Sequence, residues 1–138
     1  MIRTPSEVYA GLVFVRSLLS HPSRWTRGAM ARNLRGEPVK PLDWNAVSWS
    51  LEGAVRQAAE WHRNSQKSAL HPDRRDCGSV NLSRALISSQ RVLGVPLVAF
   101  NDRDHTTYFD VLDLIDRAIG KFDPATHSRK TVTRSTWC

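Results

Sequence analysis

One stretch in the middle of the chain constrains its fold more than any other. Trp44, Val47, Leu51, Ala54, Ala58 and Trp61 recur at spacings of three and four, the period of an amphipathic helix with one buried face. Asp43 stands where a helix cap belongs. The stripe therefore predicts a central core helix running from Asp43 through Trp61. Gly53 falls inside it, where glycine costs about 1 kcal/mol against alanine. Its presence implies that another backbone passes close to that turn. Trp49 lies off the stripe and is placed to pack against a neighbouring element.

The remaining elements arrange themselves around that helix. Thr4-Pro5-Ser6-Glu7 is a helix start, with Thr4 as cap, Pro5 at the first helical position and Glu7 closing a capping box. Val8, Leu12, Val15 and Leu19 share one face of the helix that follows, and His21-Pro22 stops it. Residues 25–39 lack helical period. Gly28 to Arg32 and Glu37 to Val39, joined through Gly36, read as a hairpin whose second strand Pro38 confines to an edge. Residues 64–79 are polar and read as a loop. Ser79 or Asn81 can open a third helix to Leu93, with Gly94 as its stop. Val95 to Phe100 fits either a buried strand or a helix beginning after Pro96. Thr107 and Asp110 form a second capping box, from which Val111, Leu112, Ile115, Ala118 and Ile119 face inward up to Gly120. The expectation is a mainly α fold: a single small domain of three to four helices with one short β-hairpin over residues 1–122. Residues 123–138 read as a basic, flexible tail.

Size and charge narrow the function classes. The chain has 138 residues, enough to close one core. No apolar run approaches the roughly 20 residues that span a bilayer, so no membrane role is expected. The two cysteines, Cys77 and Cys138, are too few for a disulfide scaffold, and a reducing cytoplasm is the expected compartment. The net charge of +7 is unevenly placed. Residues 1–36 hold six arginines against Glu7 alone, whereas residues 102–123 hold six aspartates against Arg103, Arg117 and Lys121. Opposite-signed surfaces can pair within a chain or between copies, or the basic half can meet an external polyanion.

The block Trp25, Thr26, Gly28, Ala29, followed by Gly36 and then Val47, Trp49, Ser50, Gly53, Ala54, precedes Phe100, Asn101, Asp102, Thr107, Asp110 and Val111. This order resembles a family of small bacterial and phage proteins catalogued as a domain of unknown function. The pattern is Trp-Thr-x-Gly-Ala, then Val-x-Trp-Cys-x-x-Gly-Ala, then Trp-Asn-Asp with a following Thr and Glu-Val. The resemblance spans roughly residues 6–120 and is loose between Trp61 and Leu82. It implies a shared fold and a phage or mobile-element setting, and it names no activity. Ser50 stands where the pattern has cysteine, and Phe100 where it has tryptophan. A small side chain at position 50 reads as a core filler.

Asn101 and Asp102, with Trp49 and Ser50, are the candidate binding residues, because short polar side chains follow an apolar run there. The plainer reading is that they satisfy loop backbone groups. Arg24, Arg27, Arg32 and Arg35, with the tail, are the candidate contacts to nucleic acid. His71, Asp73, Asp76 and Cys77 crowd one loop without a pair of metal-ligand spacing, so no metal is expected. His71-Pro72-Asp73 matches the tripeptide of the J domain, but the match lacks its structural context. No nucleophile elbow, phosphate loop or dinucleotide fingerprint is present. His62 and His105 lack a nucleophile to serve, and no cofactor or catalytic residue is expected. The leading expectation is a non-enzymatic binding or regulatory module with a protein partner or self-association. The alternatives are a basic nucleic-acid-associated accessory protein, or an enzyme built around Ser50, Asn101 and Asp102.

Overall fold

Thr4 opens the first helix, α1 (Pro5–Leu18), through the expected capping box: its hydroxyl accepts from Glu7 N, and Glu7 Oε1 accepts from Thr4 N. The structure is a computed structural model and describes residues 4–65, 77–91 and 94–127. The loop candidates His71, Asp73 and Asp76 lie outside those residues, as does most of the expected tail. Val8, Leu12 and Val15 are buried along α1, and Leu19 just beyond it. A single 3-10 turn, Pro22–Arg24, then leads into the expected hairpin.

β1 (Ala31–Arg32) pairs antiparallel with β2 (Pro38–Val39), with Ala31 opposite Val39 and Arg32 opposite Pro38. The turn between them is held by Asn33, whose Oδ1 accepts from the N–H groups of Arg35 and Glu37. Gly36 takes φ +80°, which a side-chain-bearing residue rarely adopts. β2 is an edge strand of the sheet, so the missing N–H of Pro38 does no harm.

The central helix starts later than its apolar stripe predicts. Trp44 and Asn45 are in a turn, Ser48–Trp49 forms a third strand, β3, against β1, and α2 runs Leu51–Ser65. Trp44 and Val47 match the helical phase yet stand outside the helix, and Trp61 is half exposed. The buried face of α2 is Leu51, Ala54, Val55, Ala58 and Ala59. Tertiary hydrogen bonds decided the start: Ser50 N donates to Met30 O and Val47 N to Arg32 O. Both bonds extend the sheet where a helix would have needed other partners.

α3 covers Cys77–Ser88, so it begins before Ser79 and ends before Leu93. Residues 97–102 settle the open alternative as helix: α4 (Leu97–Asp102) begins after Pro96, which is its N-cap residue. α5 (Tyr108–Phe122) carries the second capping box, with Thr107 Oγ1 accepting from Asp110 N and Asp110 Oδ2 from Thr107 N. It runs past Gly120, and Leu114 takes the fully inward place predicted for Leu112. One further helical turn, α6 (Pro124–His127), packs against α5 and α1.

α1 packs on α2 and α5, α3 packs against α2, α1 and α5, and the sheet lies at the start of α2. Phe14 stacks on Trp61 at 4.8 Å, and His62 Nε2 lies 2.9 Å from Glu7 Oε2, so α2 is tied to α1 near its capped end. Arg16 Nε donates to Asp116 Oδ1 at 2.9 Å, one contact between the arginine-rich and aspartate-rich segments. No helix among the described residues is long and apolar enough to cross a membrane.

Candidate functional site

Asn101 sits in the last turn of α4, 0% exposed, where three segments of the chain meet. Its Oδ1 accepts from Trp25 Nε1 at 2.6 Å and from Leu51 N at 3.1 Å. Its Nδ2 donates to Thr26 O and to Asp102 Oδ1, both at 3.0 Å. The amide thus satisfies one of the orphan N–H groups at the start of α2 from fifty residues away. Ser50 satisfies another, its Oγ accepting from Gly53 N at 3.1 Å as a helix cap. Asp102 is exposed, and its Oδ1 also accepts from Gly28 N at 3.1 Å. Gly28 stands at φ +74°, which aims that N–H at the carboxylate.

The junction explains Gly53. A Cβ there would stand 1.9 Å from Met30 O, so the sheet and α2 approach too closely for any side chain. Trp49, predicted as a binding residue, is buried and donates from Nε1 to Pro41 O at 3.0 Å. Trp49, Ser50, Asn101 and Asp102 do converge. They converge in packed protein, where the polar atoms of Asn101 all bond to the chain itself.

The four candidate arginines divide. Arg27 Nη2 donates to the carbonyls of Arg103 and Thr106, and its guanidinium lies 5.3 Å over the Trp25 ring. Arg32 donates to Thr26 Oγ1, Gly36 O and Arg27 O. Both are committed to holding loops, while Arg24 and Arg35 are exposed. Tyr108 anchors the other side of the same region, donating from its hydroxyl to Leu19 O at 2.5 Å. Burial raises its pKa above 10, with Arg16 acting in the opposite sense. Among the described residues no group of three His, Cys, Asp or Glu side chains is placed to hold a metal ion.

A more exposed surface lies at the turn between β1 and β2. Trp44 is 90% exposed and Leu34 89%. They line an open groove of about 500 Å³ with Asn33, Arg35, Glu37, Asn45 and Val47. The groove is preorganised. Asn33 Nδ2 holds Glu37 Oε1 at 3.1 Å, and Asp43 Oδ1 accepts from Asn45 N at 2.8 Å. Sequence reasoning missed this surface by placing Trp44 on the core helix. A signal was present: Pro41, Asp43 and Asn45 are turn formers, and they bracket Trp44.

No curated protein and no solved structure matches this chain. A family match covers residues 4–121, from the cap of α1 to the last turn of α5. Of the residues that carried the resemblance, Trp25, Thr26, Gly28, Ser50, Gly53, Asn101 and Asp102 meet at the Asn101 junction, and Thr107 and Asp110 cap α5. By that match the chain belongs to DUF6197, a family of unknown function.

Proposed function

We propose that this protein is a non-enzymatic recognition module that binds a protein partner through the hairpin groove. The observation that carries this reading is the exposure of Trp44 and Leu34 on a sheet whose turns are fixed by their own hydrogen bonds. Large apolar side chains held rigidly in solvent are the usual anchors of protein recognition. Two charged side chains line the groove, Arg35 and Glu37; the Glu37 carboxylate is engaged by Asn33, while Arg35 is exposed. The partner that fits is a segment offering an apolar side chain next to acidic residues. The junction around Ser50, Asn101 and Asp102 gives little support to a catalytic reading, since its amide has no donor or acceptor left for a substrate.

The test places a photo-crosslinking amino acid at position 44 in the full chain, in cells, with the same probe at exposed Phe109 as the control. Discrete protein adducts at 44, absent at 109 and lost on Leu34→Glu, are expected. Identical adducts at both positions would overturn the reading. So would adducts removed by nuclease, or purified protein that binds DNA or RNA at about 50 mM salt and releases it at about 200 mM. Loss of that binding on Arg24→Ala or Arg35→Ala would make nucleic acid the occupant instead.

A further inference from the structure

A second concavity lies away from the hairpin groove, where the end of α3, the end of α4 and the first half of α5 meet. It encloses about 230 Å³, less than the 300–1,000 Å³ typical of sites for drug-sized ligands, so its occupant is small. Phe100 and Leu114 give it an apolar floor, and Arg91, Arg103 and Arg117 reach it from three separate elements.

The three guanidinium groups are only lightly engaged. Arg117 donates from Nε to Ser89 O at 3.0 Å, which orients it and leaves its two terminal nitrogens without a partner among the described residues. Arg103 lies 5.9 Å over the Phe100 ring, and its guanidinium makes no hydrogen bond among the described residues. Arg91 meets Asp113 only at 3.4 and 3.5 Å, at the outer limit of hydrogen bonding. The acids in the lining are Asp110 and Asp113. Asp110 is held by the N–H of Thr107 in the cap of α5. Three arginines against two aspartates leave a single positive excess above an apolar floor.

We propose that this cleft binds a small monocarboxylate with an apolar ring. The carboxylate takes the fork donors of Arg103 and Arg117, which suit its planar pair of oxygens, and the ring lies on Phe100 and Leu114. One excess positive charge matches one carboxylate better than a phosphate dianion. This site is independent of the hairpin groove, and neither proposal depends on the other.

The test is a titration of the isotope-labelled full chain, followed by amide chemical shifts, with benzoate, benzamide and inorganic phosphate up to about 10 mM, a range that captures ligands of this size. Benzoate is expected to shift Arg103, Thr106, Leu114 and Arg117 saturably, with benzamide and phosphate inert. Arg103→Gln, which removes no hydrogen bond of the fold, is expected to weaken benzoate binding about tenfold or more. Arg91→Gln, at an exposed position, gives a second variant that leaves the fold intact, and a smaller loss is expected there. Equal binding of benzamide would show that charge plays no part and would sink the proposal. Stronger binding of phosphate would overturn the choice of carboxylate. Shifts elsewhere on the molecule, or none at all, would remove the site.

Discussion

The Asn101 junction and the Trp44 groove both border the hairpin region and are built in opposite ways. At the junction every polar atom of a buried amide is bonded to the chain, and the backbones of α2 and β1 nearly touch. At the groove the backbone is equally well fixed, but the large side chains point at solvent. The contrast separates construction from recognition. The residues that carry the family resemblance are occupied in holding α4, α2 and the hairpin together. Leu34 and Trp44 lie within the matched span but are not among those motif residues, and they stand in solvent. The most distinctive motif in this chain is thus accounted for by the hydrogen bonds that hold the fold.

The sharpest way to break the comparison is at Asn101. Asn101→Ala leaves Trp25 Nε1, Leu51 N and Thr26 O without their partner. With each orphaned buried group costing about 1–3 kcal/mol, a loss of about 4 kcal/mol is expected. Urea unfolding measures it, and the slope with denaturant should not change. A cost below about 1 kcal/mol would mean that water replaces the amide and that the junction is not the dry keystone described above.

Gly53→Ala tests the same region with a sign that propensity alone gets wrong. On an isolated helix the change would stabilise by about 1 kcal/mol. Here the new methyl meets a backbone carbonyl, which cannot rotate away, so α2 and β1 must separate. The expected result is a loss of about 3 kcal/mol, read from the same denaturation curves. A gain would show that the sheet moves aside freely.

Tyr108 offers a smaller effect with a pH signature. Its pKa is raised in the folded protein, chiefly by burial, so the folded state holds the phenol proton more tightly than the unfolded chain does. The stability from this group is fully present below pH 10 and is lost as pH rises through the higher folded value. Tyr108→Phe should cost about 1 kcal/mol at neutral pH by removing the bond to Leu19 O. It should also flatten the decline in melting temperature on the alkaline side. An unchanged alkaline decline in the variant would assign that decline to other groups.

Local signals in the sequence carried far. Both capping boxes are legible because their partners lie three residues apart. The stripes of α1 and α5, the hairpin at Gly36 and the edge position of Pro38 follow from short-range rules too. Gly53 was legible as a close approach, though not what approaches it. The start of α2 was not legible, because Trp44 and Val47 fall on the helical period while Met30 and Asn101, distant in sequence, supply the bonds that decide where the helix begins. The same non-locality hid the candidate cleft: Arg91, Arg103 and Arg117 belong to three elements and show no common spacing. It also hid the division among Arg24, Arg27, Arg32 and Arg35, which are equivalent by composition and are sorted only by which carbonyls lie within reach.

The smallest expected effect on stability is the most informative about function. Trp44→Ala removes the tryptophan of the groove, whose indole makes no hydrogen bond or ring contact among the described residues. The change should move unfolding by no more than about 0.5 kcal/mol, as surface substitutions do. Set beside Asn101→Ala, it gives two regions with opposite responses: one substitution costs several kcal/mol of stability, the other leaves stability almost unchanged. A Trp44→Ala protein that is markedly less stable would place the indole in the core in solution. Position 44 would then belong to the architecture, as Trp49 does, and the proposed recognition face would have to be sought elsewhere.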